Sequence, residues 1–140
     1  MFILIKADEN GVSSIETIDK MKMELNDYYN AIGCNCINIH PCGMQVASVD
    51  RQLVVFDDEF LLNTDKPVAN KLASVLYGYH KHGQCLCGNV VIGKATDEDI
   101  VGFTKDECDM IVKLYKAIID GANKAEFVVQ EPMMTYVRGY

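Results

Sequence analysis

The most constraining feature of the sequence is an amphipathic segment that starts at Thr104. Thr104 and Glu107 have the spacing of a capping box, in which each side chain satisfies a backbone amide at a helix start. Gly121 then supplies a stop signal. The pattern predicts a helix over about 104–121, with an apolar stripe made of Cys108, Ile111, Val112, Tyr115, Ile118 and Ile119.

Apolar residues at helical spacing predict two further helices, both earlier in the chain. The first covers about 17–32, and Gly33 lies where its C-terminal cap belongs. The second starts at Thr64, because Pro67 loses no hydrogen bond in a first turn, and ends near Gly78. Their apolar stripes are Ile18, Met21, Leu25, Tyr28, Tyr29 and Ile32 in the first helix, and Val68, Leu72, Val75, Leu76 and Tyr79 in the second.

The remaining apolar segments are short and separated by turn residues, which is typical of strands. Residues 2–6 and 12–16 flank the turn sequence Asp8-Glu9-Asn10-Gly11 and are predicted to form a hairpin. A second hairpin is predicted from 45–49 and 53–56, around Asp50-Arg51-Gln52. Further strands are predicted at 34–40, 85–92, 126–130 and 134–137.

Many strands with three interspersed helices predict an α+β fold, with a mainly antiparallel sheet and three helices packed on it. The 140 residues fit a single domain over 1–140, and 49% hydrophobic residues suffice for a core. The sequence shows no internal repeat, linker or low-complexity segment.

The charge balance bears on possible partners. The net charge is −7, from 20 acidic and 13 basic residues, and the arginines are Arg51 and Arg138. Extended nucleic acid needs clustered cations, so it is not an expected partner, whereas a basic host protein fits better.

The hydropathy pattern bears on location. The apolar run 2–5 is too short for a signal sequence, and no stretch reaches the ~18 apolar residues of a membrane span. We therefore expect no membrane association and a location in the host-cell cytoplasm. In that compartment the six cysteines are expected to be thiols or metal ligands.

The cysteines and histidines concentrate in two short segments, 34–42 and 80–87. Residues two apart on a strand share a face, so four thiolates could meet if the two strands are neighbours. The cysteines of this alternative zinc site are Cys34, Cys36, Cys85 and Cys87. Against it, a strand separates such cysteines by about 6–7 Å, and free cysteine commonly packs in cores. We predict no metal and no other cofactor.

No catalytic motif is present: the sequence lacks a nucleophile elbow, a Walker loop and a dinucleotide-binding glycine pattern. The acidic runs 57–59 and 97–99 could bind Mg²⁺, or they are solvated ends of a strand and a helix. The chain is therefore predicted not to be an enzyme.

Short motifs between residues 55 and 107 carry a family resemblance. "VFDDEFLLN", "ANKLASVLYG", "GNVVIG" and "FTKDE" stand in that order, after a helix ending in "YNAIG". The chain resembles a family of short uncharacterised proteins of phages, prophages and conjugative elements of Firmicutes, which is described as a domain of unknown function. The resemblance covers most of residues 1–120, and the cysteine-rich segments and the C-terminal strands depart from it.

The resemblance implies an accessory protein of a mobile genome. A weaker similarity is to phage proteins that sequester the cyclic nucleotide signals of bacterial immunity in pockets between subunits. Such counter-defence sponges stack adenine on an aromatic ring and hold phosphates with cationic and amide side chains. The corresponding candidates are Tyr79, Asn89, Arg51, Lys105, Lys113 and Arg138.

Three functional hypotheses follow. The chain binds a small anionic nucleotide, such as a cyclic ADP-ribose-like or cyclic oligonucleotide signal, near Tyr79 and Asn89. Alternatively, it is an acidic protein that inhibits a basic host protein, or a zinc-stabilised Cys/His module. A homo-oligomer is expected from the apolar tail 133–137, which could pair at a sheet edge.

Overall fold

The computed structural model describes residues 1–59, 67–127 and 129 of the chain. In these residues six strands form one sheet. The strands are β1 Phe2–Ala7, β2 Ser13–Ile18, β3 Ile37–Pro41, β4 Gln52–Asp57, β5 Val90–Ala95 and β6 Ile100–Val101. The helices are α1 Leu25–Ile32, α2 Lys71–Tyr77, α3 Tyr79–His82 and α4 Lys105–Lys124.

The sheet has the order β2-β1-β5-β4-β3, and β6 pairs with the end of β5. Every pairing between the named strands is antiparallel. The predicted α+β class with a mainly antiparallel sheet is therefore confirmed. A fourth helix, α3, has only four residues.

The central strands bury both faces, because helices cover the sheet on two sides. On one face, Ile5, Val54 and Ile92 belong to the cluster that also contains core residues of α2 and α4. On the other face, Phe2, Val55 and Val91 pack with Tyr28 and Ile32 of α1. The strands therefore alternate between two apolar layers rather than between core and water.

The first hairpin is confirmed. β1 and β2 pair from Phe2↔Ile18 to Ala7↔Ser13. In the turn, Asp8 Oδ1 accepts hydrogen bonds from the amides of Asn10 and Val12 at 2.8 and 2.9 Å. An aspartate that binds the backbone two residues on is the usual device of such turns.

Helix α1 starts later than predicted. Residues 17–18 belong to β2, and the helix begins at Leu25, after a capping box between Glu24 and Asp27. Leu25 and Met21, predicted in the buried stripe, are 53% and 58% exposed. The β1–β2 ladder takes Thr17 and Ile18, which local periodicity assigned to the helix, whereas the predicted helix end at Gly33 is correct.

The predicted hairpin of 45–49 with 53–56 is wrong, because β4 pairs with β3 and β5 instead. Ala47, Ser48 and Arg51 have positive φ angles, which interrupts an extended chain before β4. The buried Gln52 side chain donates to the carbonyls of Val46 and Val49 at 2.7 and 2.6 Å, and so holds residues 46–49 as a loop.

Helix α2 begins at Lys71 rather than at Thr64, which lies outside the described residues. Asn70 is the N-cap, and Val68, predicted in the apolar stripe, is 41% exposed. The side-chain oxygen of Asn70 accepts from the Ala73 amide, so the helix starts where an amide partner exists. The predicted end is correct, since Gly78 has a left-handed conformation with φ 102°.

Helix α4 has the predicted capping box, but it continues to Lys124. Gly121 does not stop it, because a glycine without a left-handed turn costs a helix only about 1 kcal/mol. Of the predicted strands 126–130 and 134–137, Glu126 and Phe127 are irregular. Residues 128 and 130–140 lie outside the description.

The start of α4 supports a prediction about acid. The Glu107 carboxylate accepts hydrogen bonds from Lys94 Nζ at 2.9 Å and from the Thr104 amide at 3.0 Å. Both bonds lower the pKa of Glu107 below its ordinary value of 4.5, and the bond from Lys94 has the larger effect. A lowered carboxylate pKa stabilises the fold above the unfolded value, and the gain is lost as pH falls through the folded value. Below pH 4.5 the free energy of unfolding should fall more steeply in the wild type than in Glu107→Gln.

The difference should be about 0.5–1 kcal/mol, since the pair is partly solvent-exposed. Urea denaturation at several pH values measures it, and Glu9→Gln in an exposed turn is the control. Parallel stability curves for wild type and Glu107→Gln would contradict the role of this carboxylate.

A polar cleft beside helix α1

A solvent-open cleft of about 810 Å³ lies between α1 and the ends of two central strands. One wall comes from α1 and the turn that follows it, and the other from the end of β4 and the segment before β5. The described lining residues are Asn26, Tyr29, Asn30, Ile32, Gly33, Cys34, Asn35, Asp57, Glu59, Val68, Cys87 and Gly88.

The wall formed by α1 is polar because helix geometry places several of its polar side chains on one side. Asn26 and Asn30 are one turn apart, and Tyr29 lies between them on the same side. Gly33 ends the helix in a left-handed conformation with φ 80°, and its amide binds the carbonyl of Tyr29 at 2.8 Å. This tight end brings Asn35 into the same cleft. The wall therefore presents amide donors and acceptors beside one aromatic ring.

The opposite wall is acidic. Asp57 ends β4 and is only 8% exposed, and its Oδ1 accepts the Glu59 amide at 2.9 Å. Glu59 also lines the cleft. A buried carboxylate at the end of a strand is held in place by the ladder and by this turn, so it offers a fixed hydrogen-bond acceptor.

The thiols near these acids are held protonated. Burial and then the negative charge of Asp57 raise the pKa of Cys34, which lines the cleft. A hydrogen bond to Glu59 and then burial raise the pKa of Cys36. Because the thiolate is the reactive form, neither cysteine is activated as a nucleophile.

The electrostatic character of the cleft follows from its composition. Among the lining residues that the structure describes, there is no lysine, arginine or histidine, whereas there are two carboxylates. Phosphate groups bind where cations or helix N-termini are available. The two carboxylates therefore favour neutral or positively charged groups that donate hydrogen bonds.

The predicted ligand residues Tyr79 and Asn89 are not among the described lining residues of this cleft. Tyr79 begins α3, and its ring meets that of Phe127 edge to face, with centroids 5.0 Å apart. Asn89 precedes β5, and its Oδ1 accepts the amide of Ala7 at 3.1 Å. The first contact joins α3 to the segment after α4, and the second joins the residue before β5 to β1. The ligand-binding roles of Tyr79 and Asn89 stay predictions.

The predicted cations are spread over the molecule. Arg51 lies beside Ala95, at the far end of β5 from Asn89, which is about 20 Å away at 3.3 Å per residue. Arg51 binds Asp97 at 2.9 Å. Lys105 binds Asp109 on α4 at 2.9 Å.

Two predicted cations remain. Lys113 lines a shallow groove of about 370 Å³, together with Thr17 of β2 and Lys116. Arg138 lies outside the described residues. In the described part of the chain, the structure does not bring the predicted cations together around Tyr79 and Asn89.

The alternative zinc site depended on two cysteine pairs on neighbouring strands. That premise is wrong, because β3 begins at Ile37 and β5 at Val90, so all four cysteines precede their strands. Within residues 1–59, 67–127 and 129, no three cysteine, histidine or acidic side chains are arranged to hold a metal ion. Cys108 is buried in the core, as its place on the α4 stripe predicted.

The acidic run 97–99 has a structural role. Asp97 pairs with Arg51, and Asp99 pairs with Lys22 at 2.7 Å. The hydrogen bond and charge of Lys22 lower the pKa of Asp99. Asp97 and Asp99 are therefore paired with cations near the β5–β6 turn. In the other acidic run, 57–59, Asp57 and Glu59 line the cleft.

Comparison with known proteins gave no matching family model, no matching curated protein and no matching solved structure. In the part of the chain that is described, none of the helices combines the length and apolar character needed to cross a bilayer.

Sequence reasoning missed the cleft. Asn26, Tyr29 and Asn30 lie in the predicted first helix, whereas all of the predicted ligand residues lie elsewhere in the sequence. The signal that was available is the i, i+4 spacing of two asparagines on a helix, followed by Asn35 after the cap. Amides are disfavoured inside helices, so a pair on one face indicates a polar contact there.

Proposed function

We propose that this protein binds a small polar ligand in the α1 cleft and sequesters it without transforming it. The observation that carries the proposal is the cleft itself, whose volume of about 810 Å³ suits a nucleoside-sized molecule. Its wall combines many hydrogen-bonding groups with few apolar ones, which suits a water-soluble ligand. The resemblance to mobile-element proteins supports a sequestering role.

The ligand is a neutral or cationic molecule rich in hydrogen-bond donors. Asn26, Asn30 and Asn35 offer amides, which can pair with the edge of a purine in a bidentate manner. Tyr29 adds an aromatic face, on which stacking of a base is worth about 1–3 kcal/mol. Asp57 and Glu59 accept from amino groups. For a nucleotide-type signal, the cleft would recognise the base, and the phosphates would lie outside.

A binding role agrees with the chemistry of the walls. The cleft thiol of Cys34 is held protonated, and the described lining lacks a histidine that could act as general base. Asp57 and Glu59 are neighbours on one wall, so they do not face each other across a substrate.

A thermal-shift panel tests the proposal. Neutral nucleosides, cationic polyamines and cyclic nucleotides are offered to the intact protein at equal concentration. A ligand at one hundred times its Kd should stabilise the fold by about 2.7 kcal/mol and raise Tm by roughly 5–10 °C. We expect stabilisation by a donor-rich neutral or cationic compound.

Matched variants locate the binding. Asn30→Ala removes an exposed cleft amide and should weaken binding roughly tenfold without changing Tm of the free protein. Asn10→Ala, in the β1–β2 turn, is the control and should bind normally. Equal binding by wild type and Asn30→Ala, or a response to phosphorylated compounds alone, would contradict the α1 cleft as the site.

A further inference from the structure

The short sequence Cys85-Leu86-Cys87 lies between α3 and β5 along the chain and is hydrogen-bonded to the start of α2. Leu86 is fixed on both sides, because its amide donates to Ser74 Oγ at 3.0 Å and its carbonyl accepts the Asn70 amide at 2.7 Å. Cys87 continues the arrangement with an antiparallel bridge to Ala69. These backbone bonds on both sides of Leu86 favour an extended segment, in which residues two apart, here the two cysteines, share one face.

The two thiols are in direct contact. The Cys85 and Cys87 side chains are hydrogen-bonded, and this bond lowers the pKa of Cys85 and raises that of Cys87. In such a pair, one thiol keeps its proton and donates to the other sulfur, which is therefore more stable as a thiolate. Two sulfur atoms thus meet, and the charge of a single thiolate is stabilised by its neighbour.

Access to the pair is one-sided. Cys85 is completely buried, whereas Cys87 is 5% exposed and lines the α1 cleft together with Gly88. A small reagent in the cleft therefore meets Cys87 first, and Cys85 lies behind it. This is the arrangement of an attacking thiol with a resolving thiol at its side.

We propose that Cys85 and Cys87 form a thiol–disulfide exchange site that reacts with small organic disulfides entering the α1 cleft. Cα atoms two apart on an extended chain are about 6.6 Å from each other, near the upper end of the 4.4–6.8 Å range of disulfides. The bond can form, but it strains the segment that Leu86 anchors. Such a disulfide is readily reduced again, so the exchange is reversible.

The exchange balances over two steps. The pair first loses one proton to water, and the proton that remains is shared between the two sulfur atoms. Cys87 sulfur attacks one sulfur of the external disulfide and expels a thiolate, while the remaining proton stays on Cys85. Cys85 sulfur then attacks the Cys87 sulfur of the mixed disulfide, expels the second thiolate and gives it this proton. The proton released at the start protonates the first thiolate, so one disulfide and two thiols become one protein disulfide and two small thiols.

Cystamine is a suitable probe, because it is a compact dication and the described cleft wall is acidic. The reduced full chain is incubated with excess cystamine under native conditions, and remaining thiols are alkylated after denaturation. Cleavage after lysine gives a peptide 82–94 that contains Cys85 and Cys87 and no other cysteine. We expect this peptide to be unalkylated and lighter by two hydrogens, and to recover both thiols with excess dithiothreitol.

Variants separate the two roles. Cys85→Ser should stop at a mixed disulfide and carry one stable cysteamine on Cys87. Cys87→Ser should react roughly tenfold or more slowly, because the remaining thiol at 85 has no exposed surface. Cys108→Ser, in the core beside α4, is the control and should react as the wild type does.

The alkylation state of peptide 82–94 from the wild-type protein tests the proposal by itself, even where a variant fails to fold. Peptide 82–94 with both cysteines alkylated after prolonged exposure would overturn the proposal. A bond from Cys87 to Cys34, the other cysteine of the cleft, would also overturn it. Neither result depends on which ligand the cleft binds, so a failure of the proposed function would be recognised separately.

Discussion

Replacing Gly11 by alanine is expected to destabilise the fold by roughly 3–5 kcal/mol, the range of the most severe single substitutions. A Cβ at Gly11 would overlap the carbonyl oxygen of Ala69 and would lie 3.0 Å from Val68 Cγ1. The turn and the start of α2 cannot easily move apart, because the carbonyl oxygen of Gly11 accepts a hydrogen bond from the Lys71 amide at 3.2 Å. The β1–β2 turn therefore presses directly on the start of α2.

Gly33→Ala provides the matched control. Gly33 has the same φ of +80° as Gly11, but nothing lies within 4 Å of a Cβ at that position. Gly33→Ala should lower the free energy of unfolding only by the strain of a left-handed alanine, about 1–2 kcal/mol. Urea denaturation of both variants measures the difference. Equal destabilisation would show that the close approach of the turn to Ala69 does not contribute.

The second large effect is expected at Asn70, which is completely buried. Its Nδ2 donates to the carbonyls of Ile5 and Gly88 at 3.1 and 2.7 Å. Its Oδ1 accepts from Ser13 Oγ at 2.6 Å and from the Ala73 amide at 3.4 Å. One side chain thus joins β1, β2, α2 and the segment that leads to β5.

Asn70→Ala should destabilise the protein by roughly 3–5 kcal/mol, because each buried polar group left without a partner costs about 1–3 kcal/mol. Total stabilities are about 5–15 kcal/mol, so the variant would lose a large fraction of the free energy of unfolding. Thermal unfolding followed by circular dichroism, together with urea denaturation, measures the loss.

Two comparisons test the explanation. Ser13→Ala breaks only the bonds at Ser13 Oγ, to Asn70 and from the Leu72 amide, and should cost about 1–2 kcal/mol. Asn70→Asp keeps the acceptor but turns a carboxylate oxygen toward the carbonyls of Ile5 and Gly88, so it should not rescue stability. An Asn70→Ala variant no less stable than Ser13→Ala would contradict the central role of this side chain.

Local chemistry explains which predictions succeed. The capping box at Thr104, the Asp8 turn and the helix ends at Gly33 and Gly78 each depend on neighbours within a few residues. Such signals work on any chain with the same local sequence. The α+β class followed from counting these elements, and it is confirmed.

Long-range pairing explains which predictions fail. Residues 45–49 look like a strand, but Gln52 binds their carbonyls, and β4 finds its partners in β3 and β5. Likewise, Ile18 fits a helical stripe, yet it pairs with Phe2. Propensity is a weak prior when a sheet offers better burial.

The capping box at Thr104, the turn at Asp8, the helix ends at Gly33 and Gly78 and the acidic balance follow from the sequence alone, because all of these are properties of local sequence or composition. Only the tertiary structure decided that α1, the end of β4 and Cys87 surround one cleft, and that the predicted cations lie apart. The physical reason is that a site joins side chains distant along the chain. Their meeting depends on strand order and register, which no local pattern encodes.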